Sequence, residues 1–351
     1  MSFKVGLVGL PNVGKSTLFR AITKKQVNIE NYPFCTIDPN VGTVLVPDRR
    51  LEKLSEISKS EKTTGTTIEF VDIAGLVKEA HKGKGLGNKF LSHIREVDAV
   101  VQVLRGFEDK NVSHVEGGVN PVRDKEIIDI ELIVADLQTA EKVSEKLEKD
   151  AKGGDKETRF KVQTLEKIKE SLREEKKIKD MDLRKEEVDA IKEFNFLTLK
   201  PIIYLKNVND RKTNEKNSYL EINAKIENEI AELSKEEAGE YLKSFGIEES
   251  GLNKLVRKCY EALNLISFFT SGEKETRAWT VERGEKAPVA AGKIHSDFQK
   301  YFIRAEVLPY DDFIELGGWV GAREQGKIKD RGKDYIPRDG DVIFFKIGRT
   351  K

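Results

Sequence analysis

The chain has 351 residues and is 35% charged, yet its 62 Lys and Arg residues almost balance its 61 Asp and Glu residues. The resulting net charge of +1 excludes a general attraction to nucleic acid or membranes but leaves local patches open, and the length accommodates two or three domains. The two cysteines, Cys35 and Cys259, have no metal-site spacing, and no apolar run is long enough to span a bilayer. These features predict a cytoplasmic protein with no membrane partner.

A strand, a glycine-containing loop and a helix follow one another at the N-terminus. Residues 3–8 are an apolar run typical of a buried parallel strand, and residues 17–22 begin a helix. Between them, the octapeptide GLPNVGKS at 9–16 matches the phosphate-binding pattern G-x-x-x-x-G-K-[ST]. Backbone N–H groups of this loop surround a phosphate, while the lysine reaches the outer phosphates and the serine hydroxyl binds magnesium. The sequence therefore predicts a nucleoside triphosphate site that includes Asn12, Val13, Gly14, Lys15, Ser16 and Thr17.

Strand and helix signals alternate along the following residues, which predicts a parallel sheet with helices on its faces. Strands are predicted at 41–46, 68–71, 99–104 and, much later, 201–205. The segment 124–196 is instead rich in Lys and Glu, with apolar residues at helical spacing: Ile130, Ile133, Leu137, Ala140, Leu147, Leu165, Ile168 and Leu172. We interpret it as an inserted arm of two antiparallel coiled-coil helices that turn at Gly153-Gly154, the alternative being a solvated face on ordinary core helices.

The composition changes again in the last segment, at 275–351. Short strand signals at 277–281 and 342–346, together with many turn glycines, predict a small separate α+β domain. The predicted domains are thus a nucleotide-binding domain at 1–123 and 197–274, the helical insertion at 124–196 and this C-terminal domain. Its basic residues near Tyr335 either face RNA phosphates, with the ring available for stacking, or form a solvated loop: Lys327, Lys329, Arg331 and Lys333.

A second phosphate-side motif separates the possible classes of nucleotide-binding protein. The predicted strand at 68–71 leads into Asp72-Ile73-Ala74-Gly75, a D-x-x-G motif in which Asp72 is expected to hold magnesium through water. The Gly75 N–H is expected to contact the γ-phosphate. Thr36, in a loop between the two motifs, is expected to add its hydroxyl to the magnesium, unless it is an ordinary loop threonine.

The base-recognition segment follows the strand at 201–205. Asn207-Val208-Asn209-Asp210 stands where guanine-specific proteins carry N-K-x-D, in which the aspartate accepts two hydrogen bonds from guanine. Val208 replaces the lysine whose stem packs along the base, so the guanine signature is incomplete. Asn223, Ala224 and Lys225 occupy the place of the last base-contacting loop.

With these motifs, the chain resembles the YchF family, or Obg-like ATPases, over essentially its whole length. The resemblance includes the loop at 9–16, the segment at 31–40, Asp72 to Gly75 followed by Leu76, the glycine-rich stretch at 81–87, the helical insertion and the C-terminal region. It implies a P-loop domain with an inserted helical arm and a C-terminal β-grasp (TGS) domain, ATP used at least as well as GTP, and association with ribosomes. Asp210 departs from the family, which usually carries Glu there, so the choice between ATP and GTP is left open.

The residue that orients the attacking water is not the usual one. Switch GTPases often place a glutamine directly after D-x-x-G, whereas this chain has Leu76, which cannot hydrogen-bond to water. His114 and His81, both in glycine-rich segments, are the candidates for catalytic residues, the alternative being that they are surface histidines. By resemblance to related P-loop proteins, Asn12 is expected to help hold a potassium ion that accelerates a slow hydrolysis.

The sequence thus predicts a monomeric, ribosome-associated ATPase that uses Mg²⁺ and acts as a nucleotide-controlled switch. A GTPase of the same fold is the first alternative, and a binding scaffold with incidental hydrolysis is the second. A small-molecule kinase fits least, because it would need neither Thr36 nor the Asn207 segment.

Overall fold

The structure, a computed structural model, describes residues 3–26, 38–73, 87–109, 118–150, 155–209, 219–244 and 246–348. The strands are β1 (Phe3–Val8), β2 (Val41–Leu45), β3 (Lys62–Thr64), β4 (Thr67–Asp72), β5 (Ala99–Arg105), β6 (Ile202–Asn207), β7 (Leu220–Ile222), β8 (Leu265–Ser271), β9 (Glu275–Glu282), β10 (Phe302–Pro309), β11 (Lys329–Arg331) and β12 (Asp341–Ile347). The helices are α1 (Lys15–Lys24), α2 (Arg49–Ser58), α3 (Asn88–Arg95), α4 (Pro121–Asp150), α5 (Lys156–Arg173), α6 (Lys185–Ile191), α7 (Ala224–Ile230), α8 (Lys235–Ser244), α9 (Gly251–Ala262), α10 (Ala287–Ile294), α11 (Ser296–Lys300), α12 (Tyr310–Glu315) and α13 (Trp319–Glu324).

The chain forms two compact units. The first comprises Met1–Val44 and Glu69–Leu252, and the second comprises Leu45–Ile68 and Asn253–Lys351. The helical segment therefore groups with the parallel sheet, whereas residues 45–68 group with the C-terminal part of the chain. The division into three domains stays a prediction.

The first unit is built on a six-stranded sheet in the order β2-β4-β1-β5-β6-β7. β1 pairs in parallel with β5, β5 with β6, and β6 with β7. All of β5 and the last four residues of β1 are buried, as expected for parallel strands covered on both faces. The parallel sheet and the strands predicted at 3–8, 99–104 and 201–205 are confirmed.

Helices α4 and α5 pack against each other in the first unit. The Ser144 hydroxyl donates to Glu166 at 3.2 Å, and Arg173 donates to Glu141 at 2.9 Å. The helices are antiparallel, because the later residue on one pairs with the earlier residue on the other. Their shared apolar core contains Ile133, Ala140, Leu165, Ile168, Leu172, Ile178, Ile191 and Phe196, with Leu137 and Leu147 packed against it. The predicted turn at Gly153-Gly154 lies outside the described residues.

Ile130 does not lie in that core, although its spacing predicts that it does. It is 43% exposed, whereas Ile128 and Leu132 on the same helix are buried. The start of α4 packs on the sheet, where the Gln102 Nε2 group donates to the Asp124 carbonyl at 3.2 Å. The face of α4 that is buried here therefore differs from the face that meets α5, and Ile130 points away from both.

The second unit contains another six-stranded sheet, in the order β11-β10-β12-β8-β9-β3. Phe268 and Phe269 are neighbours in β8 yet belong to different cores, because side chains alternate between the two faces of a strand. One core includes α10, and the other includes residues of α2, α12 and α13. The strands predicted at 277–281 and 342–346 are confirmed within β9 and β12. Among the described residues, no helix has the length and apolar character needed to cross a membrane.

Candidate functional site

The loop between β1 and α1 has a backbone that requires glycine at two positions. A Cβ on Gly9 would lie 2.7 Å from the Val103 carbonyl oxygen, which is too close for any other residue. Gly14 has a φ of 92°, and a Cβ there would lie 2.1 Å from Nδ2 of Asn207. Asn12 also has a positive φ, 64°, a conformation that asparagine tolerates better than most residues. The glycine pattern at 9–14 thus corresponds to a real steric requirement.

The N-terminus of α1 is suited to an anion. Gly14 is the N-cap residue, no side chain caps the helix, and its first turn contains no acidic residue. The partial positive charge of the helix end is therefore not neutralised by those residues. Backbone N–H groups at such an end are a common binding site for phosphate.

Asp72, the last residue of β4, lies beside this loop. The Lys15 ammonium forms an ion pair with the Asp72 carboxylate, and both side chains are largely buried. The Ile73 N–H donates to the Leu7 carbonyl at 3.2 Å, which holds the ends of β4 and β1 together. Ser16 is exposed at the start of α1. The structure thus places the lysine and the carboxylate of the two phosphate-side motifs in direct contact.

A hydroxyl and a carboxylate are oxygen donors of the kind that magnesium prefers, so Ser16 and Asp72 fit the predicted metal. Within the described part of the chain, no three His, Cys, Asp or Glu residues form a cluster that could hold a metal ion by themselves. Magnesium usually keeps several waters and is held by one or two protein oxygens together with substrate phosphates, so two protein donors are compatible with it.

Asn207, the last residue of β6, joins the phosphate-binding loop to the start of α7. Its Nδ2 group donates to the Val13 carbonyl at 3.0 Å, and its Oδ1 atom accepts from the Ala224 N–H at 3.0 Å. The side chain is only 7% exposed. One buried amide thus links three of the segments that the sequence analysis assigns to the nucleotide.

Asn223 caps α7. Its Oδ1 atom accepts from the N–H groups of Lys225 and Ile226 at 3.0 and 3.1 Å, and its Nδ2 group donates to the Asn209 carbonyl. The first bonds satisfy N–H groups that a helix start leaves unpaired. The last bond holds the segment at 223–225 against the residues that follow β6.

Val208 is buried where a guanine-specific site would carry a lysine. It is 7% exposed, and its N–H donates to the Ile222 carbonyl at 2.8 Å. The position therefore presents an apolar side chain with a fixed backbone and has no ammonium group.

Sequence reasoning missed two residues next to this site. Phe107 follows β5, and its ring lies 3.9 Å from the place that a Cβ on Gly14 would occupy. Arg105, fully buried at the end of β5, lies with its guanidinium 4.6 Å from the centre of that ring and donates to the Phe107 carbonyl at 3.0 Å. The sequence signal that could have identified them is their place at the end of a central strand, because ligands of parallel α/β sheets bind beyond the carboxyl ends of such strands.

The remaining predicted site residues lie outside the described residues: Thr36, Gly75, His81, His114 and Asp210. The structure therefore brings together Val13, Gly14, Lys15, Asp72, Asn207, Ala224 and their sequence neighbours. The functional roles of both sets stay predictions.

Two family models match the chain. MMR_HSR1, described as a 50S ribosome-binding GTPase, matches residues 4–151. YchF-GTPase_C, described as a protein of unknown function (DUF933), matches residues 265–348.

Proteins of known name are similar over nearly the whole chain. A Haemophilus influenzae protein named Ribosome-binding ATPase YchF is 53% identical, with 99% of each chain covered. A Bacillus subtilis protein of the same name is 48% identical, with 99% of this chain and 100% of that protein covered. The structure of the Schizosaccharomyces pombe YchF GTPase matches with a TM-score of 0.87 at 39% identity and covers 98% of both chains. Since identity this high extends over both units, the chain belongs to the YchF family.

Proposed function

We propose that this protein is a cytoplasmic, ribosome-binding nucleoside triphosphatase that hydrolyses ATP and acts as a nucleotide-controlled switch in translation. The observation that carries the proposal is the buried Asn207 amide, which joins the phosphate-binding loop to the base-recognition segments. The full-length similarity to proteins named Ribosome-binding ATPase YchF supports the substrate and the partner. We expect the protein to work as a monomer.

The phosphate side of the site neutralises charge. Lys15 and the N-terminus of α1 offer positive charge to the outer phosphates, and the ion pair with Asp72 holds the lysine beside the loop. Ser16 and Asp72 would hold Mg²⁺, with Thr36 as a further predicted ligand. The metal, when bound, neutralises the charge that develops on the β- and γ-phosphates.

The water-positioning step is assigned to His114 or His81, because Leu76 cannot orient water. Gly75 and Thr36 are assigned to sensing the γ-phosphate. We expect slow hydrolysis without a partner. His114→Ala and His81→Ala, measured singly under saturating ATP, test the assignment: a histidine whose replacement leaves kcat unchanged takes no part in the step.

The base side of the site favours ATP in this proposal. Val208 and Phe107 supply apolar surface near the loop, and the ammonium group typical of guanine-specific sites is absent at position 208. Competition between fluorescent ATP and GTP analogues, in magnesium and potassium, measures the preference. Tighter ATP binding supports the proposal. Tighter GTP binding would mean that Asn207 and Asp210 recognise guanine.

A GTPase of the same fold is the second candidate, because the similar Schizosaccharomyces pombe structure is that of a protein named GTPase and Asp210 provides a guanine-type carboxylate. Lys15→Ala is the control for both candidates, since it should abolish binding of either nucleotide. The scaffold alternative is tested with the same variant: if Lys15→Ala still pellets with ribosomes regardless of nucleotide, the switch role is wrong.

Potassium is proposed as an activator through Asn12, whose positive φ places it at the turn of the phosphate-binding loop. Turnover is compared in matched potassium chloride and sodium chloride. Equal rates in the two salts would remove potassium from the mechanism, and Asn12→Ala should lose any potassium stimulation while keeping the sodium rate.

A further inference from the structure

A groove of about 740 Å³ lies on the second unit, along β11 and the loop that leads from it to β12. Four exposed cations line it: Arg283, Arg331, Lys333 and Arg338. Two carboxylates, those of Asp330 and Asp334, also line it. The charge of the groove depends on how these acids are paired.

Both carboxylates are neutralised by cations that do not line the groove. Arg304 donates to Asp330 at 2.6 Å, and Lys286 forms an ion pair with Asp334 at 2.6 Å. In the described ranges, none of the four lining cations has a carboxylate within ion-pair distance (4 Å). The lining therefore has four cations against two acids, and both acids are already paired with cations from outside the lining, in a chain whose total net charge is +1.

The groove is built on a fixed loop. The Tyr335 carbonyl accepts from the Ala287 N–H at 2.7 Å, and the Tyr335 hydroxyl donates to Asp341. Asp341 also accepts from the Arg338 N–H at 2.8 Å. These bonds hold the loop in place before any ligand binds, which lowers the entropy cost of binding.

The aromatic ring in this loop is not free to stack as the sequence suggests. The Arg331 guanidinium lies 5.3 Å from the centre of the Tyr335 ring, and that ring also packs against the apolar core. The exposed plane of Arg331 and the side chain of Ile336, which is 47% exposed, are the surfaces available to a base or sugar. Arginine planes stack on bases in RNA recognition.

We propose that this groove binds the phosphate backbone of a single RNA strand, with Arg283, Arg331, Lys333 and Arg338 contacting phosphates. The proposal deepens the ribosome-binding function proposed above and rests on it, since the strand is part of ribosomal RNA. Positive charge by itself suits RNA and an acidic protein segment equally. RNA is favoured because the exposed guanidinium and the apolar surface beside the cations can contact bases and sugars.

The first test measures the salt dependence of binding of a short fluorescein-labelled single-stranded RNA to the full chain. Four phosphate contacts predict that the affinity falls about 50-fold between about 50 and 200 mM salt. The triple variant Arg331→Ala/Lys333→Ala/Arg338→Ala retains one contact, and its affinity should fall only about threefold over that range. The matched control replaces three exposed lysines of the same unit outside the groove, Lys53, Lys274 and Lys300, with alanine and should behave as wild type.

The second test is co-sedimentation of the same proteins with purified ribosomes. The proposal expects the triple variant to lose pelleting while its ATP hydrolysis, which depends on the first unit, stays at the wild-type rate. An unchanged thermal unfolding curve shows that the second unit, which carries the substitutions, is folded. If the triple variant is not folded, the single charge reversal Lys333→Glu takes its place and should reduce both RNA and ribosome binding.

The outcomes separate the two proposals. If the triple variant pellets like wild type, the proposal that the groove binds RNA is wrong, while the proposal of ribosome binding stands. If wild-type protein fails to pellet, the proposal of ribosome binding is wrong, and the RNA titration alone then tests whether the groove binds RNA. Loss of pelleting by the variant, together with no RNA binding by wild type, points to an acidic protein ligand and overturns the RNA proposal.

Discussion

Replacing Asn207 with alanine should loosen the nucleotide site before any nucleotide is added. The change removes the partner of the Val13 carbonyl and the partner of the Ala224 N–H, both of which the buried amide now satisfies. Each buried polar group left unpaired costs about 1–3 kcal/mol, so for the two groups we expect a loss of about 2–6 kcal/mol in the local free energy of unfolding. A loss of about 3 kcal/mol corresponds to about a hundredfold change in an equilibrium constant.

Hydrogen exchange followed by mass spectrometry locates this loss. Amides of α1 and α7 should exchange up to about a hundredfold faster in the variant, because their opening no longer breaks the two bonds. Amides of β8 and β12, in the second unit, should not change. The exchange rates of Asn207→Asp should lie between those of wild type and Asn207→Ala, since the aspartate carboxylate still accepts from the Ala224 N–H but cannot donate to the Val13 carbonyl.

Asn209→Ala is the matched control. Asn209 carries the same amide two residues along the chain, but it is exposed and donates to the Glu108 carbonyl at a long 3.4 Å. We expect its replacement to cost less than about 0.5 kcal/mol. If Asn207→Ala and Asn209→Ala exchange alike in α1 and α7, the reasoning is refuted.

Gly14→Ala should abolish nucleotide binding in an equilibrium titration, because position 14 has a positive φ and the added methyl group would collide with the buried Asn207 amide. The control Gly118→Ala, whose Cβ would meet nothing within 4 Å, should bind nucleotide normally. The pKa of Glu187 is lowered to about 2, first by its bond to a lysine ammonium and then by bonds from an arginine. The stability it contributes is present above pH 4.5, its ordinary pKa, and is lost as the pH falls toward about 2. Between pH 4.5 and about 2, the urea midpoint of Glu187→Gln should therefore fall less than the midpoint of wild type. Burial raises the pKa of the Cys259 thiol, so in a Cys35→Ser background a thiol reagent should react only after unfolding; rapid reaction of the native protein would contradict its burial.

The chemistry of the phosphate site was predictable because it is local. Eight consecutive residues, with a strand before them and a helix after them, contain the glycines, the lysine and the serine, and the steric contacts at Gly9 and Gly14 explain why the pattern is strict. Asp72 was predictable from its place at the end of a strand. The apolar runs of β1 and β5 were equally direct, since a strand buried on both faces has little room for polar residues.

The interactions between distant segments were not predictable. The bond from Asn207 to Val13 spans 194 residues, and the ring of Phe107 approaches Gly14 only when β5 lies beside β1. Ile130 shows the same dependence on packing partners, because helical spacing identifies an apolar face but not the element that covers it.

The sequence by itself determined the class of site, the parallel sheet and the family, since these depend on short motifs and on the apolar pattern of single elements. Only the tertiary structure decided that residues 45–68 join the C-terminal unit, where β3 pairs with β9. It also decided that Arg331 lies over the Tyr335 ring, beside a groove lined by four exposed cations. The physical reason is that strand pairing and charge compensation are made between segments far apart in the chain. Composition records how many charges a protein has, but only the fold decides which of them neutralise each other.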